Sequence, residues 1–571
     1  MAVTQQGSRL SDDKWWRSAV IYQVYVRSFA DGNGDGTGDL AGLRTRLGYL
    51  HRLGVDAIWV SPWYRSPLAD GGYDVTDYRS IDPEFGNLEE AESLIAEALE
   101  FGIRTIIDVV PNHVSDRHPW FVEALASNPG SPERSRFWFR PGKGDDGEQI
   151  PTRWVSSFAG QTWTRTVETD GDPGEWYLHL FTPQQPDLNW NHPQVRAEHE
   201  DVLRFWFDRG VAGIRIDSAT LLVKDPQLSE IPLEPGPGEH PYIDRDEIHD
   251  IYRAWRGIAD SYDPPRVLVG EIWLEDPQRF AAYLRPDEMH TAFNFSFMTQ
   301  PWDASRLRAS IIETLAAHSL VGAPATWVLS NHDVTRPVTR YGREESSFDF
   351  ASKRFGVPTD LTLGRRRARA AALLTAALPG SLYVYQGDEL GLPEVEDLPL
   401  GAIQDPMHFR SGGVDPGRDG CRVPLPWSGF QSPFGFSSGT DVKPWLPQPM
   451  TWGDLTVQRQ EEDPDSFLAL YRTVLAARRS EAAIHNGGLR WLADDDQVVA
   501  FARGDRFACV VNLGPEPIEL PAHTEVLLMS DALQGGLLAT DVAVWLRLPD
   551  DELATDRYRG VQPTPEKEER R

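Results

Sequence analysis

TIIDVVPNH occupies residues 105–113. It runs apolar and β-branched through TIIDVV and then turns polar, ending on His113. A strand with one wet face would alternate apolar and polar positions. A near-continuous apolar run belongs instead to a strand covered on both faces, as in a parallel sheet flanked by helices. The polar residues then mark its C-terminal end.

Seven further runs read the same way: AVIYQVYV (19–26), AIWVS (57–61), GIRID (213–217), RVLVGE (266–271), TAFNF (291–295), TWVLS (326–330) and LYVYQ (382–386). Helical patterns fall between them. NLEEAESLIAEALEFG (87–102) and PQVRAEHEDVLRFWFDRG (193–210) each end on a glycine suited to a helix C-cap. Eight such strands alternating with helices predict an α/β fold, a (β/α)8 barrel rather than an open sheet.

Two places break the rhythm. Residues 111–185 are rich in Gly, Pro and Trp and too long for a loop, which predicts a small domain inserted after the third strand. After the eighth strand, GDELGLPEVEDLPL leads into a Pro- and Gly-rich stretch, and a helix near 463–480 is expected to close the barrel. LRWLAD, QVVAFARG, RFACVVNL, EVLLMS and VAVWLRL follow as short strand patterns of a C-terminal antiparallel β domain. The expected organisation is a barrel over 1–110 and 186–480, an inserted domain over 111–185, a β domain over 481–550 and a disordered tail over 551–571.

Bulk properties narrow the function. The chain has 571 residues and a net charge of −30, which argues against nucleic-acid binding. Only two cysteines, Cys421 and Cys509, are present, so neither a disulfide framework nor a Cys-rich metal site is expected. No apolar run reaches the roughly 18 residues of a membrane span. The N-terminal MAVTQQGSRLSDDKWW lacks a leader pattern, and the expected compartment is the cytoplasm. Monomer and homodimer stay equally open.

In such barrels the catalytic groups sit at the C-terminal strand ends. Here those ends carry His113, Arg215 with Asp217, Glu271, and His332 with Asp333. A lone carboxylate of this kind is ordinarily a helix cap or a solvated loop residue. Several converging on one barrel mouth are not. Arg215 and Asp217 are two apart on a strand and face the same side. The guanidinium is expected to lower the Asp217 pKa, as a nucleophile needs, while neighbouring carboxylates raise that of Glu271, as a general acid needs. One ionised and one protonated carboxyl across a bond is the apparatus of glycoside hydrolysis, and a retaining enzyme needs the two about 5–5.5 Å apart.

DVVPNH, GIRIDSA, GEIW and NHD resemble, in order, the four signature regions of glycoside hydrolase family 13, the α-amylase family, and QPDLNW (185–190) resembles its fifth. WWRSAVIYQVYVRSFADGNGDGTGDLAG, DGGYDVTDY and GRDGCRVPLPW are similar to its α-glucosidase and oligo-1,6-glucosidase subgroup. The resemblance implies that Asp217 is the nucleophile, Glu271 the general acid/base and Asp333 the transition-state stabiliser. It implies that His113, Arg215 and His332 surround the terminal sugar, that Asp70 and Tyr73 close that subsite, that Arg418 pairs with the Asp, and that Phe158 lines the wall. Exo-action on a short carbohydrate would follow. Ser218, after the nucleophile, is not the subgroup's usual residue; a small hydroxyl there leans toward α-1,4 linkages.

DGNGDGTGD (31–39) looks like the first nine positions of an EF-hand loop, but Gly42 stands where the bidentate Glu belongs. The subgroup implies a structural Ca²⁺, or Mg²⁺, on Asp31, Asn33, Asp35, Asp39 and the Thr37 carbonyl; an empty Asp/Gly turn is the plainer reading. Transglucosylation, sucrose- or trehalose-directed action and, remotely, an inert binding subunit stay as alternatives to a retaining α-glucosidase.

Overall fold

A computed structural model describes residues 12–168, 171–439 and 442–549. The tail expected over 551–571 lies outside the described residues, as do residues 1–11 of the N-terminal stretch expected to lack a leader.

Eight parallel strands form the central sheet: β1 (Val20–Val24), β2 (Ala57–Val60), β3 (Arg104–Val109), β4 (Gly213–Ile216), β5 (Val267–Gly270), β6 (Thr291–Ala292), β7 (Thr326–Val328) and β8 (Ser381–Tyr385). Their order is β6-β5-β4-β3-β2-β1-β8-β7, so each strand lies beside its neighbour in sequence and β1 joins β8. Between β6 and β7 the Thr291 and Thr326 hydroxyls meet, which leaves a nearly closed (β/α)8 barrel. Nearly every strand residue is buried, the physical reason for the continuous apolar runs. β6 is shorter than TAFNF suggests. Asn294 accepts the Phe297 N–H and turns the chain into a short helix, Phe295–Met298.

The helix over Leu88–Glu100 starts with a capping box, Asn87 with Glu90, and is followed by Gly102 at φ +73°. The helix over Pro193–Asp208 is followed by Gly210 at φ +90°. The helix over Phe467–Ser480 starts on the Ser466 cap and packs on the helix Leu361–Ala377.

After β3, the strands Phe139–Arg140, Trp163–Val167 and Pro173–Leu178 form a three-stranded antiparallel sheet with its own core around Trp138, Trp154, Trp163 and Trp176. A buried ion pair ties this excursion to the barrel. Lys224, beyond β4, lies 2.8 Å from Asp187 and donates to the Asn112 carboxamide, beyond β3.

At the C-terminal side, Leu489–Trp491, Val498–Arg503, Phe507–Asn512, Glu525–Met529 and Val542–Arg547 make a five-stranded antiparallel sheet. Trp545 Nε1 donates to the Leu373 carbonyl and Arg503 to that of Ala377, fastening the sheet to the barrel. Asp541, buried, accepts from Trp302 Nε1 at 2.6 Å and Arg367 Nε at 3.1 Å. No helix among the described residues is long and apolar enough to cross a membrane.

Replacing Asp541 with Ala leaves the Trp302 N–H buried without an acceptor, an expected loss of about 2–3 kcal/mol. The thermal midpoint should fall by a few degrees while activity at 25 °C is kept, because Asp541 lies beside the C-terminal sheet and not at the end of a barrel strand. An unchanged midpoint in a calorimetric scan would remove Asp541 as the clasp between the two units.

Candidate active site

Asp108 and Arg215 stand opposite each other in the β3–β4 register. Arg215 is 1% exposed, and its guanidinium reaches three carboxylates. Its Nη1 donates to Asp108 and Asp217 at 2.8 Å each, and its Nη2 forms an ion pair with Glu271 at 2.7 Å. Asp217 follows β4 directly and Glu271 follows β5. Glu271 also accepts the Ser218 N–H at 2.9 Å and the Trp273 indole N–H at 3.2 Å. The backbone N–H that holds Glu271 comes from Ser218 at φ +47°, a left-handed conformation uncommon for a residue with a Cβ.

Asp333, beyond β7, accepts from Arg418 Nη1 at 3.1 Å and Arg422 Nη2 at 2.8 Å. Arg418 turns its remaining nitrogens to Asp405 and Asp70, and its guanidinium lies 4.7 Å over the Phe158 ring. Gln185 donates to the other Asp70 oxygen at 3.0 Å and lies 3.1 Å from His113 Nε2. Tyr73 stacks on His332, its hydroxyl 2.7 Å from His332 Nε2. These groups surround a cavity of about 640 Å³, with Asp70, Tyr73, His113, Phe158, Asp217, Ser218, Glu271, Asp333 and Arg418 in its wall. Arg215 and His332 lie buried behind that wall, and both His332 ring nitrogens meet protein groups, Gln23 and Tyr73.

The electrostatics correct one expectation. Burial pushes the Asp217 carboxyl up to about 6, against the pull of Arg215, whereas the pairing along the strand predicts a lowered value. Desolvation of the fully enclosed carboxyl outweighs the guanidinium, which is shared with two other carboxylates. Glu271 rises to about 7 through burial, opposed by Arg215 and reinforced by Asp217 and Asp333. The order of the two groups is therefore as expected. Asp217 and Glu271 meet on the two terminal nitrogens of the one Arg215 guanidinium, at 2.8 and 2.7 Å. Burial also works against the Asp333 charge, but its neighbours hold it well below the usual carboxylate range. His332 is first among those neighbours, yet burial keeps that imidazole neutral. We assign the depression to Arg418 and Arg422. Burial keeps His113 neutral too, at about 4.

Residues of this site that go unread in the sequence include Asp108, Gln185, Trp273, Asp405 and Arg422. Asp108 leaves a signal, a charge inside an apolar strand, which must have a partner. Asp405 leaves none.

The loop over 31–39 is held by its own side chains. Asp31 accepts the Gly34 and Gly36 N–H groups, Asn33 that of Asp35, Asp35 that of Thr37, and Asp39 those of Gly32, Asn33 and Gly42. Among the described residues no three His, Cys, Asp or Glu side chains gather as metal ligands. The donor set is nevertheless all oxygen, as Ca²⁺ and Mg²⁺ require, and the carboxylates keep lone pairs beyond these N–H bonds.

A (β/α)8 barrel with three carboxylates converging at the C-terminal ends of β4, β5 and β7 defines a glycoside-hydrolase site. The chain belongs to the α-amylase family: the model of the α-amylase catalytic domain matches residues 23–487. It is 36% identical over 536 residues to a probable α-glucosidase of Rhizobium meliloti, covering 89% of this chain and 92% of that protein. It is 33% identical to the oligo-1,6-glucosidase of Parageobacillus thermoglucosidasius, over 85% and 87% of the two chains. Among solved structures, the α-glucosyl transfer enzyme XgtA superposes with a TM-score of 0.81 at 34% identity, covering 94% of this chain and 99% of that one. The isomaltulose synthase PalI of Klebsiella sp. LX3 gives 0.82 at 30%, with 94% and 99% covered.

The two carboxyls define a pH window. An attacking Asp217 must be ionised, so activity is lost as pH falls through about 6. A proton-donating Glu271 must keep its proton, so activity is lost as pH rises through about 7. The expected kcat/KM profile is a narrow bell between these values. A profile flat from pH 5 to 9 would detach these two groups from the chemistry.

Proposed function

We propose that the protein is a retaining, exo-acting α-glucosidase that removes terminal α-linked glucose from short α-glucosides. The observation that carries this is the pairing of Asp217 and Glu271 on one guanidinium, beside a pocket end sealed by Arg418 and Asp70. Asp217 attacks the anomeric carbon while Glu271 protonates the departing glycosidic oxygen. A β-glucosyl ester on Asp217 forms. Glu271, now ionised, takes a proton from water, and the water oxygen displaces Asp217 to give α-glucose. Asp333, held ionised, faces the positive charge that develops on the ring. The sealed end leaves room for a chain terminus and not for a chain passing through.

A second reading keeps the intermediate and replaces water with a sugar or alcohol. The structural likeness to an α-glucosyl transfer enzyme and to an isomaltulose synthase favours keeping it in view. Ser218 leans toward α-1,4 linkages, although an oligo-1,6-glucosidase is among the relatives.

Following anomeric protons by NMR with maltose, isomaltose, kojibiose, nigerose, sucrose and trehalose decides between the two. Early α-glucose, absent with Asp217→Asn, is the expected outcome. New glycosidic signals with little free glucose would shift the assignment to transfer. Silence on all six would overturn both. For Glu271→Gln, turnover of an activated aryl glucoside should be rescued by azide as the α-glucosyl azide; a β-azide would exclude retention through Asp217.

We also propose that Asp31, Asn33, Asp35, Asp39 and the Thr37 carbonyl hold a structural Ca²⁺. Chelation should lower the thermal midpoint and added Ca²⁺ restore it, with no response in Asp35→Ala. An unchanged midpoint on chelation would leave the loop as a self-capped turn.

A further inference from the structure

Asp70 and Tyr73 reach the cavity from a hairpin loop. The strand Tyr64–Arg65 leads into it and Asp77–Ile81 leads out, and at the base the Thr76 N–H donates to the Arg65 carbonyl at 2.8 Å. Between them the backbone is contorted. Leu68 stands at φ +60°, where a residue with a Cβ is uncommon, and Gly71 and Gly72 follow at φ +58° and +105°. Two adjacent glycines leave a chain many paths, so a single path needs a fastening.

Asp74 supplies it. This residue is fully enclosed and lies behind the cavity wall, not in it. From the returning limb its carboxylate reaches back across the loop. Oδ1 accepts the Asp70 N–H at 3.0 Å and the Ser66 hydroxyl at 2.9 Å, and Oδ2 accepts the Ala69 N–H at 3.0 Å. The Ser66 oxygen in turn accepts the Leu68 N–H at 2.9 Å. Burial pushes the Asp74 carboxyl up to about 6, and the same three donors draw it back down. Asp70 is thereby gripped at both ends. Arg418 and Gln185 take its two carboxylate oxygens, and Asp74 takes its N–H. The Asp70 carbonyl accepts the Tyr73 N–H at 3.0 Å, which passes the constraint on to the ring stacked on His332.

Resting on the α-glucosidase reading, we propose that Asp74 is a positioning residue: its carboxylate braces the hairpin loop from within and so fixes where Asp70 and Tyr73 stand against the terminal glucose. It touches no substrate. It acts through Asp70, and its effect on turnover disappears when the Asp70 side chain is removed.

The test is a double-mutant cycle, read with an activated aryl α-glucoside so that slow variants stay measurable. Asp74→Asn keeps the size of the side chain but turns an NH2 group toward a backbone N–H. Its kcat/KM should fall roughly tenfold to a hundredfold, as a misplacement of about an ångström implies, and the competitive Ki for D-glucose should rise several-fold. Ser66→Ala, a gentler change, should move both in the same direction by less. In an Asp70→Ala background, Asp74→Asn should cost no more than about twofold further. Amide exchange should quicken at Ala69 and Asp70 and stay unchanged along the barrel strands. If Asp74→Asn does not fold, the cycle of Ser66→Ala with Asp70→Ala decides. Wild-type turnover with both Asp74→Asn and Ser66→Ala within twofold of it would overturn the assignment alone. So would a loss that persists in full in the Asp70→Ala background, which would make Asp74 a general support of the fold. Silence of the wild type on every α-glucoside would overturn the glucosidase reading and this assignment with it.

Discussion

Three carboxylates around one buried guanidinium set the terms for the rest of the molecule. Arg215 is enclosed and permanently charged, so it must be neutralised where it stands, and Asp108, Asp217 and Glu271 do so from three adjacent strands. That leaves more negative than positive charge in one buried cluster. Burial pushes all three carboxyls up against the pull of that cation, Asp108 and Asp217 to about 6 and Glu271 to about 7. Neither a nucleophile nor an acid has to be arranged separately. Both follow from burying three carboxyls around one cation, and the N–H groups of Ser218 and Trp273 favour the ionised form of Glu271 against that burial. Asp333 is excused from this competition because Arg418 and Arg422 supply it with charge of its own.

The barrel was legible because burial on both faces writes itself into the sequence as continuous apolar runs, and all eight occur as strands. The C-terminal sheet was legible for the complementary reason, short segments with strand composition between turns. Length and tryptophan content exposed the excursion after β3. The carboxylates that converge at the barrel mouth were legible because polar side chains at the ends of apolar strands stand out. Asp405 and Arg422 were not, since they act across long stretches of chain from segments without regular pattern. Asp108 was overlooked although its position, charged within TIIDVV, called for a partner. The direction of the Asp217 shift was misjudged for a general reason: a neighbour two residues away can be read from a sequence, but the depth at which both are buried cannot.

The inserted domain and the long segment after β8 meet over the pocket. Arg410 donates to the carbonyls of Phe158 and Ala159, and Arg418 covers the Phe158 ring. One aromatic wall residue is thereby held from its backbone and from its face by two arginines of the same segment. The shape of the sugar end thus depends on contacts between parts of the chain some 250 residues apart, visible only in the folded molecule.

The Arg418–Asp70 closure has a further consequence for traffic. With that end closed, the proposed mechanism has an order: the departing half of the substrate must clear the open side before anything can reach the ester on Asp217. Water and any competing alcohol then queue for the berth just vacated. On the proposed mechanism, a first tenant that lingers at the threshold delays water and alcohol alike.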